Sequence, residues 1–72
     1  MLSISELKDH FEIQGRYCIK AVYDDSMEIV AVGDDFEYDF FDIDDEYLDA
    51  DILYMYVEVN MLNFEIDLRK GD

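Results

Sequence analysis

Phe36-Glu37-Tyr38-Asp39-Phe40-Phe41-Asp42-Ile43-Asp44-Asp45-Glu46-Tyr47 decides the fold, because its residues satisfy two periodicities at once. Phe36, Tyr38 and Phe40 alternate with Glu37 and Asp39, as in a strand with one buried and one charged face. Phe36, Phe40, Ile43 and Tyr47 also fall at i, i+4, i+7 and i+11, the spacing of an acidic amphipathic helix. The strand is the preferred reading of 36–40, with the helix as its alternative. Beyond it, Asp42, Asp44, Asp45, Glu46, Asp49 and Asp51 surround only Ile43, Tyr47, Leu48 and Ala50. That composition predicts a loop with one helical turn, capped by Asp44 or Asp45.

Working outward, Ile52 to Val59 is β-branched and aromatic with apolar residues on both faces, which predicts a central strand. Leu62, Phe64, Ile66 and Leu68 alternate with Asn63, Glu65 and Asp67 in a final strand. The phase slips at Asn60-Met61, which marks a tight turn or a bulge. Upstream, Tyr17, Ile19, Ala21 and Tyr23 share one face of a first strand. Asp24-Asp25-Ser26 is turn chemistry and Met27 to Val32 a second strand, so the pair reads as a hairpin; Gly33-Asp34-Asp35 repeats the turn signal. At the N-terminus Ser3 and Glu6 have capping-box spacing, with Leu2 and Leu7 placed for a hydrophobic staple. A helix of about two turns then begins near Ile4, presents Ile4, Leu7 and Phe11 as one stripe, and is stopped by Gly15. Too short to stand alone, it must pack on the rest. The expected class is α+β: one short N-terminal helix on a four- to five-stranded antiparallel meander, a single domain over 1–72.

Composition narrows the function. The 72 residues carry 20 Asp and Glu against 5 Lys and Arg, a formal charge of −15. Such charge suggests disorder, but 51% hydrophobic residues, with 6 Tyr and 5 Phe, provide material for a core. A chain this short buries only about 60% of its unfolded surface, so a deep enzyme cleft is not expected. No apolar run approaches the roughly 20 residues that span a bilayer, and no secretory leader is visible, so a cytoplasmic location is expected. Cys18, the single cysteine, reads as a small buried side chain. His10 has no Ser or Cys at triad spacing and reads as a surface residue. The acidic run fails as an EF-hand, since counting from Asp42 places Tyr47 where the glycine and Leu53 where the final glutamate belong. Gly15, Gly33 and Gly71 are isolated and form no phosphate loop. The expectation is therefore neither an enzyme nor a metal or cofactor protein.

Between Lys20 and Arg69 lie 48 residues with 16 carboxylates and no Lys or Arg. Two unit charges 4 Å apart repel by about 1 kcal/mol even in water, and this segment has no internal cation to offset it. Solubility alone asks for a net charge of about 2 to 8. The excess is explained by a functional anionic surface or by halophilic adaptation. Direct nucleic-acid or membrane binding is disfavoured, and basic partners are expected. DNA carries one charge per ~1.7 Å, so 15 charges match roughly 25 Å of duplex, close to the length of a seven-residue strand with acids at i and i+2.

In size and charge the whole chain resembles the DNA-mimic inhibitors encoded by phages, plasmids and other mobile elements, which share no common fold or motif. The resemblance implies an inhibitor of anti-restriction or anti-CRISPR type that occupies the basic channel of a nucleic-acid-binding protein or nuclease. Its candidate contacts are Asp34, Asp35, Glu37, Asp39, Asp42, Asp44, Asp45, Glu46, Asp49 and Asp51. Tyr38 and Tyr47 would be its aromatic anchors if exposed, and core residues otherwise. The rival reading is a small interaction module, such as a homodimer, that binds through an apolar edge formed by Leu62, Phe64, Ile66 and Leu68.

Overall fold

The computed structural model describes residues 1–70. Helix α1 spans Ile4–His10. It is followed by strands β1 (Tyr17–Val22) and β2 (Met27–Gly33), two single-turn helices α2 (Phe36–Asp39) and α3 (Asp45–Leu48), and strands β3 (Ile52–Glu58) and β4 (Met61–Asp67). A 3-10 turn at Phe40–Asp42 joins α2 to α3.

Each hairpin, β1–β2 and β3–β4, is antiparallel, and the two meet through a parallel pairing of β1 with β4. The strand order is β2-β1-β4-β3. The class is α+β as expected, with two corrections. The sheet is mixed rather than an antiparallel meander, and 36–40, preferred as a strand, is helical, which leaves four strands, within the expected four to five. The strand predicted as central, β3, lies at an edge, and β4, the edge of the rival interaction-module reading, lies in the middle. The apolar alternation of Leu62, Phe64 and Ile66 marks a strand, and Phe64 and Ile66 are fully buried. It does not say which strands flank it, and β4 holds neighbours on both sides.

One face of the sheet is covered. In the parallel register Ile19 stands beside Phe64 and Ala21 beside Ile66, and these side chains are fully buried with Ile4 and Phe36. Leu7, Ile13, Tyr17 and Leu48 complete the core. The N-terminal cap forms as expected: the Ser3 hydroxyl accepts from the Glu6 amide at 3.1 Å and donates to the Glu6 carboxylate at 3.2 Å. Two details of this region differ. Helix α1 ends at His10, with Phe11 already extended and 64% exposed, and Ile13 enters the core instead. Gly15 sits beyond the helix at φ +94°, where its carbonyl accepts from the Phe36 amide at 3.0 Å and ties the loop to α2. The turn between β3 and β4 puts Val59 and Asn60 at φ 55° and 57°. Both residues of a type I′ hairpin turn need that sign, which a β-branched valine adopts only under strain.

Candidate functional site

The connection from Gly33 to Ile52 carries all ten candidate carboxylates, and one side chain anchors it. Phe36 is fully buried, edge-on to the rings of Tyr17 at 5.1 Å and Phe40 at 5.7 Å, and 6.0 Å from Phe64. A strand through 36–40 would have buried Tyr38 with Phe36. The helical turn turns Tyr38 outward instead and sends Phe40, Ile43 and Tyr47 against the core, following the i, i+4, i+7, i+11 alternative. Asp35 caps α2 by accepting from the Tyr38 amide at 3.2 Å. Asp44 occupies the N-cap position of α3, as expected, though its side chain makes no capping bond.

Of the ten carboxylates, Asp34, Asp35, Glu37, Asp42, Asp44, Asp45, Glu46 and Asp49 are exposed, and Asp39 and Asp51 are half-buried. Arg16 lies 3.4 Å from Asp34 and the N-terminal amine 4.0 Å from Asp51; no other candidate has a cation within salt-bridge distance among the described residues. Asp49 accepts from the Ser5 hydroxyl at 2.9 Å. Lys8, the nearby cation, sits over the Phe40 ring at 5.8 Å. The row of acids at i and i+2 along a strand does not exist, since Glu37, Asp39, Asp42, Asp45 and Glu46 lie on helical turns and the others on the irregular segments around them.

Three of these acids border a pocket of about 240 Å³ beside β2, lined by Asp39, Asp42, Asp44, Tyr17, Ile43, Tyr47 and the segment 30–32. The Tyr17 hydroxyl donates to Asp39 Oδ2 at 3.0 Å. Burial, then the bond to Asp39, then the charges of Asp39 and Asp42 push the Tyr17 hydroxyl up to about 12. The approach is close: a Cβ at Gly33 would stand 2.5 Å from the Asp39 carboxylate and 2.9 Å from the Tyr17 ring. Glycine at 33 lets the carboxylate reach the phenol.

Two aromatic residues protrude from the acidic surface: Tyr38 is 76% exposed and Phe41 86%. Tyr38 is therefore free to act as an anchor, whereas Tyr47 packs on the core. Phe41 escapes both sequence patterns. It is out of phase with 36, 38 and 40 and absent from the helical set, and that double misfit is the signal that points it to solvent.

Elsewhere, the sheet face opposite the helices carries a polar bridge. Lys20 Nζ donates to the Tyr56 hydroxyl at 3.1 Å, and the hydroxyl donates to Glu65 at 2.7 Å. The bond to Tyr56 raises the Lys20 pKa. His10 is exposed and Cys18 buried. Among the described residues no three His, Cys, Asp or Glu side chains converge as a metal site, and no helix is long and apolar enough to cross a membrane. No family model, curated protein or solved structure matches the chain.

Proposed function

We propose that the protein is a non-enzymatic inhibitor of the DNA-mimic type, which presents its carboxylates to the basic nucleic-acid-binding channel of a larger protein, such as a nuclease targeted by anti-restriction or anti-CRISPR factors. One observation carries this reading: Asp35, Glu37, Asp42, Asp44, Asp45, Glu46 and Asp49 stand exposed on one connection, without a cationic partner among the described residues. The fold retains their mutual repulsion, which a basic partner would relieve. The scale supports the reading too. The net charge of −15 matches roughly 25 Å of duplex, a length that fits within the 35 Å Cα envelope. Arg and Lys side chains that hold phosphates would bind these carboxylates through charge-assisted hydrogen bonds, with Tyr38 and Phe41 as the aromatic anchors.

The test is capture from cell lysate at about 0.1 M salt, with stepwise salt elution and a duplex DNA competitor. A nucleic-acid-binding protein should be retained, released by salt and displaced by duplex, and lost to a variant with Asp42, Asp44, Asp45 and Asp49 changed to Asn. Retention at 1 M salt, or equal retention by the variant, would refute the reading. The interaction-module alternative no longer has its edge at Leu62–Leu68. What favours it now is a fully apolar pocket of about 260 Å³ beside β3, lined by Leu7, Phe11, Ile13, Met55 and Leu62.

A further inference from the structure

We infer that β2 is a docking edge for an extended segment of the basic partner, a strand with basic residues at alternate positions and apolar residues between them. The inference rests on the carboxylate reading above and specifies how the partner engages. β2 is an outermost strand, and among the described residues its backbone bonds only to β1. Natural edges are commonly blocked by Lys, Pro or bulges; Met27-Glu28-Ile29-Val30-Ala31-Val32-Gly33 has neither Lys nor Pro, and its one irregularity, the extra residue Val30, leaves 27–29 and 31–33 in regular register with β1. An added strand would gain main-chain hydrogen bonds along this edge.

The two faces of that edge differ, and this selects the occupant. Side chains of paired strands alternate between faces. On the uncovered face Met27, Ile29 and Val32 are paired with Val22, Lys20 and Cys18 and are 53%, 61% and 58% exposed, an apolar strip no helix covers. On the helical face the edge opens into the pocket rimmed by Asp39, Asp42 and Asp44. At about 240 Å³ it is smaller than the roughly 300 Å³ of the least small-molecule sites and suits a single side chain. A strand laid along β2 therefore places every second residue on aliphatic side chains and the intervening ones on the helical face, one at the pocket with Asp39, Asp42 and Asp44 and another at Glu28, which is paired with Ala21 and exposed. Charge complementarity makes those intervening residues Lys or Arg.

A second copy does not fit. It would bring another charge of −15.

Three ten-residue peptides test the inference: one alternating Arg with Val, one with the same composition in two blocks, and the alternating one N-methylated at every second amide. Binding to the full chain is followed by titration and by amide hydrogen exchange. The alternating peptide should protect Met27–Gly33, and N-methylation and the block order should each weaken it at least tenfold. The double variant Asp42→Asn, Asp44→Asn should also bind it at least tenfold more weakly. Equal binding by the three peptides, protection at β3 instead of β2, or no binding at all would overturn the edge inference. Each of these leaves the carboxylate reading to stand or fall on the duplex-displaceable capture.

Discussion

β1–β2 and β3–β4 are both antiparallel hairpins with one register shift each, and each contributes one inner and one outer strand. Their outer strands end in different surroundings. β2 is flanked on the helical face by carboxylates gathered around Tyr17, and its edge is open. β3 is flanked by Leu7, Phe11, Ile13 and Leu62, and its start is already taken: Ser3 bridges Asp51, and the Ile52 amide donates to the Leu2 carbonyl at 2.7 Å. The same local geometry thus yields an electrostatic edge on one side and an apolar one on the other. What packs beside a strand, rather than the strand itself, sets the chemistry it offers.

The strongest way to break this contrast is Phe36→Ala, which removes the anchor of the acidic connection from the β2 side. We expect a loss of about 3–5 kcal/mol, most of the stability of a domain this size. Phe11→Ala beside β3 should stay within about 0.5 kcal/mol, because Phe11 is largely exposed. Urea unfolding followed by circular dichroism measures both.

The Tyr17–Asp39 contact is the next largest. Unfolded, the phenol ionises near its ordinary 10.0; folded, it keeps its proton to about 12. The unfolded chain therefore binds fewer protons between these values, and stability falls as pH rises through that window. The fall from this group is roughly 2–3 kcal/mol by pH 12, and Tyr17→Phe should flatten the alkaline limb of a stability-against-pH curve. Gly33→Ala crowds the same contact and should cost about 1–3 kcal/mol, read as a lowered urea midpoint.

The hairpin turns give a smaller effect of opposite sign. Val59→Gly should raise stability by about 1 kcal/mol by relieving a left-handed valine, seen as a higher thermal midpoint. No residue in the Asp24-Asp25-Ser26 turn has a positive φ, so glycine there should not stabilise. Smallest of all, Asp42→Asn or Asp45→Asn should each stabilise by about 0.2–1 kcal/mol at low ionic strength through relief of repulsion. The gain should shrink in 0.5 M salt, and a gain that persists there would mean that charge is not its cause.

Much of this architecture was legible residue by residue. Ser3 and Glu6 mark the start of α1, Asp24-Asp25-Ser26 the first hairpin, and the alternation in 62–68 the final strand. The exposed carboxylates of the candidate site followed from their number, since a small core cannot take in so many charges. The pocket was not legible, because Tyr17 and Asp39 lie 22 residues apart and meet only through the folded connection. Nor was the exposure of Phe41 anticipated.

The sequence by itself determined the start of α1, the turn at 24–26, the alternating faces of β1 and β4 and the excess of negative charge, because capping, alternation and formal charge depend on near neighbours or on none. Only the tertiary structure decided that 36–40 coils rather than extends, that β4 runs parallel beside β1, and that β2 and β3 become the edges. A period of two shows which way side chains point but not which strand lies alongside. The choice between helix and strand at Phe36 was settled by the space beside Tyr17 and Phe64, where a single buried ring outweighs a local pattern that fits both.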